Sequence, residues 1–200
     1  MAVQGLRSFL HAPLTAESPL TYGIFEKTTG AIEVQSDITY NDAKIFSDDR
    51  LKHKDVSFSE GVITLTADYI DKEIFSPILG RAVKTDSFTP AGGSEPVTVK
   101  KHVSNTNDMP IPLGFGYIKK DFDVDAKKDV YSVKFFYHVE FQPPTEPEQT
   151  KQGQKTYQQA TVTGTIYELE NGDWCEEEDF AELKTAIEYL KSLFASAEGE

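Results

Sequence analysis

The feature that most restricts the fold is an alternation of apolar and polar side chains along residues 130–141. Every second position carries a large apolar side chain: Val133, Phe135, Tyr137, Val139 and Phe141. Successive side chains of a β-strand point to opposite faces of a sheet, so a period of two predicts a strand with one buried face. Further strands are predicted at residues 62–70 and 156–169, and weaker candidates lie at residues 22–34, 96–103 and 113–120.

The last part of the chain predicts an amphipathic helix over residues 179–195. Its apolar side chains recur at spacings of three and four: Phe180, Leu183, Ile187, Leu190 and Phe194. The acidic residues 176–179 precede this pattern, and the unpaired N–H groups of a helix N-terminus attract negative charge. We expect this helix to pack on the sheet with the acidic run at its start. A shorter helix is predicted within residues 71–80, ended by Pro77 and Gly80.

Composition favours one mainly β domain over residues 1–200. The 200 residues include 13 Phe, 9 Tyr, 13 Gly and 10 Pro, which is typical of a turn-rich β protein. A net charge of −13 argues against a surface that binds nucleic acid through its phosphates. No segment approaches the roughly 20 apolar residues of a membrane helix, and the start lacks a signal-peptide pattern. We therefore expect no membrane partner and a soluble protein that is intracellular when made.

Residues that could carry chemistry are not grouped in any recognisable motif. The four histidines have no second histidine or cysteine at a metal-ligand spacing. The single cysteine, Cys175, precedes three glutamates whose charges disfavour the thiolate. We expect no catalytic residues, no cofactor and no metal, and a protein that is not an enzyme.

Residues 41–55 form a charged stretch without its own periodicity. A loop of about 15 residues inside a compact domain is uncommon, and such loops are usually functional or disordered. We therefore expect an irregular loop here that is either functional or disordered.

Several short strings resemble, in order and approximate spacing, those of phi13-type major tail proteins of tailed phages (siphophages). In the first half they are GLRSFLHAPLT, TYG, IFSPILG and PIPLGFGYIKK, at residues 5–15, 21–23, 74–80 and 110–120. In the second half they are VKFFYHVEFQ, PPTEPEQTK, TYQQATVTGTIY and ENGDW, at residues 133–142, 143–151, 156–167 and 170–174. The resemblance covers most of the chain, and the acidic run and helix after Trp174 depart from it.

This resemblance implies a tail-tube subunit with a β-sandwich or partial-barrel fold, one flanking helix and a long inter-strand loop. Six copies would close a ring, and stacked rings would form the conduit through which DNA is ejected without specific binding. The implied partners are further copies of the chain, a tape measure protein, and tail terminator and initiator proteins. The implied location is the tail of the virion, and the host cytoplasm during assembly.

The resemblance also implies roles for particular residues. The stretch at residues 41–55 would be the long inter-strand loop that reaches the next ring, where its alternating charges would set the register of the partner. The residues that would carry these contacts are Asp42, Lys44, Phe46, Asp48, Asp49, Arg50, Lys52 and Lys54. The alternative for this stretch is a hairpin tip without function. Polar side chains on the long strands are candidates for the channel lining: Thr64, Thr66, Asp68, His138 and Glu140. The alternatives are a monomeric β-sandwich binding module for carbohydrate or a cell surface, using exposed Tyr and Trp, and another virion ring protein such as a tail terminator.

Overall fold

The computed structural model describes residues 2–28, 31–47, 50–93, 95–124, 127–145 and 159–195. Most of the described residues lie in strands, which form one large antiparallel sheet and one small sheet. The predicted mainly β, sandwich-like fold class is confirmed.

Neighbouring strands of the large sheet are not always consecutive in the chain, and two further strands form a separate hairpin. The strands are β1 (Ala2–Glu17), β2 (Leu20–Tyr22), β3 (Glu26–Lys27), β4 (Ala31–Ser47), β5 (Arg50–Ala67), β6 (Ala82–Phe88), β7 (Val97–Val103), β8 (Leu113–Asp123), β9 (Lys128–Phe141), β10 (Ala160–Tyr167) and β11 (Cys175–Phe180). The helices of the described residues are α1 (Lys72–Ile78) and α2 (Leu183–Phe194).

The large sheet has the strand order β2-β1-β8-β9-β10-β5-β4, with β3 also paired to β1 and β11 also paired to β9. β9 pairs along one edge with β8. Its other edge is shared, because β10 pairs with residues 138–141 and β11 pairs with residues 131–136. β6 and β7 form the small sheet as a separate hairpin. All of these pairings are antiparallel.

Two hydrophobic cores lie on the two faces of the sheet. The first contains aromatic side chains such as Phe115 and Phe141, whose ring centroids are 5.4 Å apart, and α1 contributes Phe75 to it. The second lies under α2, where the Phe135 and Phe194 ring centroids are 4.9 Å apart. α2 therefore packs on the sheet, as its apolar pattern predicts.

A β-bulge in β9 divides its apolar side chains between these cores. Val139 lies opposite Leu113 and Phe136 lies opposite Phe115, so two residues of β9 face the single Gly114. The prediction that the odd-numbered residues share one face is wrong for this reason. Before the bulge Phe135 faces α2, whereas after it Val139 belongs to the first core.

The acidic run does not start the C-terminal helix, which begins at Leu183 rather than at residue 179. Residues 176–179 instead lie in β11, paired with β9. The part of the β9 edge that β10 leaves open needs backbone partners, and β11 supplies them. Lys134 of β9 also reaches the Glu177 carboxylate at 2.5 Å. Phe180 is likewise the last residue of β11 and not part of the helix.

The other predicted elements differ from the observed ones mainly in the residues at which they begin and end. Residues 96–103 and 113–120 form β7 and β8, residues 62–67 belong to β5, and α1 lies within 71–80. Residues 22–34 do not form one strand, and instead include β3 and the start of β4. The strand predicted at 156–169 is observed as β10 (Ala160–Tyr167), and residues 156–158 lie outside the described residues.

Candidate functional site

A two-stranded arm extends from one corner of the large sheet. β10 pairs with β5 only along residues 61–67, whereas β4 and β5 remain paired as far as Ser47 and Arg50. Within the described part of the chain, residues 39–47 and 50–60 therefore pair only with each other, and we call them the arm. At about 3.4 Å per residue the arm is on the order of 30 Å long. The prediction of an irregular loop at residues 41–55 is thus wrong, because residues 41–47 and 50–55 lie in two paired strands.

The arm escaped the sequence analysis because residues 41–55 show no period of two. A period of two signals a strand that is half buried, whereas the pairing of the two arm strands is a matter of backbone hydrogen bonds, which the side-chain pattern does not record. The Lys44 ammonium contacts the Asp42 carboxylate at 2.8 Å, and the two side chains are 45% and 36% exposed. Such exposed pairs contribute little to stability.

The other candidate contact residues of the arm are placed only in part. Phe46, Arg50, Lys52 and Lys54 lie in the paired strands, where the description covers their backbone and not their side chains. Lys54 lies opposite Lys44, and Ser47 lies opposite Arg50. Asp48 and Asp49 lie outside the described residues.

The half of the sheet that α2 does not cover presents a polar face. Strand register places Thr64 between Gln35 of β4 and Thr163 of β10, and Thr66 between Glu33 and Thr161. Glu140 of β9 lies opposite Thr165. We call this surface the polar face, and its members are Glu33, Gln35, Asp37, Glu60, Thr64, Thr66, His138, Glu140, Thr161, Thr163, Thr165 and Tyr167.

The structure thus brings together four of the five candidate lining residues, namely Thr64, Thr66, His138 and Glu140. Asp68 is the exception. It lies one residue beyond the end of β5, and its carboxylate accepts a hydrogen bond from the Tyr69 backbone N–H at 3.0 Å. That bond ties Asp68 to the turn after the strand and not to the ladder of paired side chains.

Sequence reasoning missed most members of the polar face on β4 and β10. A signal was present in both strands, because Glu33, Gln35 and Asp37 occupy alternate positions. Thr161, Thr163 and Thr165 alternate in the same way with small and apolar residues. The alternation predicts that each set shares a face, but only strand order shows that the two sets lie on the same side of one sheet.

The polar face is acidic. It carries the carboxylates of Glu33, Asp37, Glu60 and Glu140, and the members named above include no lysine or arginine. The side chains of Glu33 and Asp37 are exposed on β4. Burial is the largest cause that raises the pKa of Tyr167. The charge of Glu140 and a hydrogen bond between Tyr167 and the Glu140 carboxylate raise this pKa further. A nearby anion therefore meets negative charge along this surface.

His138 lies between two carboxylates at the side of the polar face nearest β1. Its Nδ1 is 3.1 Å from a Glu17 oxygen, and its Nε2 is 3.5 Å from a Glu140 oxygen. The Tyr167 ring lies beside the imidazole, with centroids 4.9 Å apart. The buried Nε2 of His138 has no hydrogen-bond partner among the described residues.

The remaining groups with possible chemistry are separate from these surfaces. Burial, the largest cause, raises the pKa of Cys175 to about 12, and the charges of Glu177 and Glu176 add to it. The described residues contain no group of three or more His, Cys, Asp or Glu side chains arranged to hold a metal ion. Within the same residues, no helix has the length and apolar character to cross a membrane.

Comparison with known proteins gives no relative from which a role could be transferred. No protein-family model matches the sequence, and no curated protein matches it.

Proposed function

We propose that this chain is a structural subunit of a bacteriophage tail tube. In this proposal six copies form a ring, and stacked rings form the channel through which DNA leaves the virion. The sequence resemblance to major tail proteins of tailed phages suggests this role, and the surfaces described above support it.

The polar face is the observation that carries the proposal. A channel for DNA must not retain phosphates, since each cation that contacts a phosphate adds a salt-sensitive attraction. Four carboxylates and no lysine or arginine among the named members of the polar face meet this requirement. We assign the polar face to the channel lining, with Thr64, Thr66, His138 and Glu140 among its residues.

The edge of the sheet next to the polar face supports ring formation. Within the described residues, β4 forms strand pairs only with β5, so its outer edge is available to a neighbouring chain. Unpaired strand edges readily pair with other chains, and a cyclic arrangement of identical contacts satisfies every edge. A ring of copies joined in this way would continue the polar face around the channel.

The arm supports contacts between rings. It projects from the sheet, and it carries exposed apolar side chains at Tyr40 and Val56 beside the Asp42 and Lys44 pair. Mixed charges of this kind set register and orientation more than affinity. The tape measure, terminator and initiator partners, and the virion location, rest on the resemblance alone.

A monomeric binding module is the second candidate. Exposed tyrosines favour it, since Tyr40, Tyr69 and Tyr167 are each at least 40% exposed and could stack on sugar rings. The tryptophan expected in such a site is engaged elsewhere, because the Trp174 ring stacks on Phe58 and Phe136 inside the protein.

Electron microscopy of the purified protein separates the two candidates. We expect rings or hollow tubes in negative stain when the protein is concentrated, and monomers or small oligomers by light scattering when it is dilute. A protein that stays monomeric at every concentration and salt condition would overturn the tail-tube proposal and favour the binding module.

A further inference from the structure

A cavity of about 490 Å³ lies between α1 and the β6–β7 hairpin. Its polar lining comes from Lys72, Ser76, Arg81 and His102. Its apolar lining comes from Ile70, Phe75 and Pro144. A volume in this range is typical of ligand sites, which combine an apolar wall with a few converging polar groups.

Two cations line this cavity, Lys72 and Arg81. Among the described residues, neither Lys72 nor Arg81 forms an ion pair or a side-chain hydrogen bond. In a chain with a net charge of −13, two unpaired cations in one concave site are unusual. Arg81 is only partly exposed, so its charge is less screened than that of a fully solvated side chain.

The nearby carboxylates are already engaged. Both Glu73 oxygens accept hydrogen bonds from Lys100 at 3.1 Å, and one lies 3.8 Å from His102 Nε2. Asp71 caps α1 by accepting a hydrogen bond from the Glu73 backbone N–H at 2.9 Å. Asp86 on the hairpin is paired with Lys101. Among the described residues, none of these carboxylates forms an ion pair with Lys72 or Arg81.

Hydrogen bonds join the elements that form the wall of the cavity. Ser76 is 2% exposed, and its hydroxyl is hydrogen-bonded to His102 Nδ1 at 2.7 Å. The Arg81 backbone N–H donates to the Ser76 carbonyl at 2.9 Å, so the residue that carries the guanidinium is fixed to α1. A preformed site of this kind loses little conformational entropy when a ligand binds.

We propose that this cavity binds an acidic peptide segment through one of its carboxylates. The planar guanidinium of Arg81 matches a carboxylate in a two-pronged hydrogen bond, and Lys72 adds a second positive charge. Ile70, Phe75 and Pro144 would contact apolar atoms of the same segment. A peptide fits better than a free inorganic anion, because the cavity is several times larger than one such ion and part of its wall is apolar. This site does not depend on the tail-tube proposal.

Binding of a labelled peptide tests the proposal. The probe is the blocked peptide Gly-Leu-Glu-Glu-Leu-Gly carrying fluorescein, and fluorescence anisotropy measures its affinity for the full chain. We expect saturable binding to the wild type, at least tenfold weaker binding to Arg81→Gln, and weaker binding to Lys72→Gln. The matched control is Lys191→Gln on α2, which should bind like the wild type.

Further measurements distinguish the possible outcomes of this binding experiment. Circular dichroism and thermal unfolding check that each variant folds, and Arg81→Lys replaces Arg81→Gln if the latter does not fold. We expect Arg81→Lys to bind the peptide with intermediate affinity, since lysine keeps the positive charge but cannot form the two-pronged hydrogen bond of a guanidinium. Unlabelled inorganic phosphate alone binding at the site would overturn the peptide assignment. The absence of peptide binding, or equal affinity of Arg81→Gln and wild type, would overturn the site itself.

Discussion

The Trp174 ring stacks on the Phe58 ring, with centroids 5.6 Å apart and planes inclined by 24°. Phe58 belongs to the arm, close to where it leaves the sheet, and Trp174 ends the connection between β10 and β11. Phe136 of β9 lies near the same indole at 6.5 Å. This stack joins the base of the arm to the centre of the sheet, and so fixes the direction in which the arm projects.

Removal of the Phe58 ring should loosen this joint. We expect Phe58→Ala to lower the free energy of unfolding by about 2 kcal/mol, less than the 3–5 kcal/mol of a fully buried ring, since Phe58 is only half buried. Trp174 is the single tryptophan, so its fluorescence emission should also shift to longer wavelength. Urea titration and emission spectra measure both effects. Tyr40→Ala is the control, because Tyr40 lies opposite Phe58 but is 51% exposed. Equal losses in the two variants would contradict the importance of the stack.

Gly116 permits α2 to lie close to the sheet. A Cβ at this position would lie 2.5 Å from Leu190 Cδ1 and 2.9 Å from Phe135 Cδ2, both in the second core. We expect Gly116→Ala to destabilise the fold by about 1–3 kcal/mol, because overpacking forces side chains and backbone to shift. Gly23→Ala is the matched control, since its nearest neighbour would be an ordinary 3.5 Å contact. Thermal unfolding compares the two, and an unchanged melting temperature for Gly116→Ala would contradict the close packing.

His11 should make the protein sensitive to acid. It is buried and its Nδ1 is hydrogen-bonded to Thr28 Oγ1 at 2.7 Å, and burial lowers its pKa from 6.5 to about 4. Between these values the unfolded chain binds a proton that the folded protein does not, so stability falls as the pH drops from 6.5 to 4. Between neutral and acidic pH, we expect the free energy of unfolding of His11→Gln to fall by on the order of 2 kcal/mol less than that of the wild type. Urea unfolding at pH 7 and pH 4.5 measures the difference, and identical pH dependence of the two proteins would contradict it.

The arm should be dispensable for folding but required for ring stacking. Asp42 and Val56 lie directly opposite each other, so replacing residues 43–55 with Asn-Gly closes the shortened hairpin in register. We expect an unchanged far-UV spectrum and melting temperature, because these residues pair only within the arm. In electron micrographs the variant should form single rings without tubes. Tubes of normal length would show that the arm does not join rings.

Charge on the polar face should determine whether assembled tubes retain DNA. We expect tubes of the Asp37→Lys, Glu140→Lys double variant to retain labelled DNA at low salt and release it as salt rises, since new phosphate contacts depend steeply on ionic strength. Glu170→Lys on the exposed turn before β11 is the control and should retain none. Filter retention at two salt concentrations measures the effect. Equal retention by both variants would remove the polar face from the channel.

Local patterns in the sequence determined the elements whose side chains are half buried. The alternation around Phe135 predicts β9, the alternation from Val162 to Ile166 predicts β10, and the spacing of Leu183, Ile187 and Leu190 predicts α2. In each case one side of the element contacts a core and the other contacts solvent. The pattern is therefore present in residues that are close in the sequence, and it predicts the element without knowledge of the strands or helices that pack against it.

Only the tertiary structure decided where those patterns break and which faces meet. The bulge opposite Gly114 sends Phe135 and Val139 into different cores, and the open edge of β9 makes a strand of residues 176–179, which their charges alone would assign to a helix start. Strand order then brings Thr64, Thr163 and Glu140 onto one acidic face, and it leaves the arm paired only with itself. Each of these outcomes depends on backbone partners that are distant in the chain, and a local period of side chains carries no information about them.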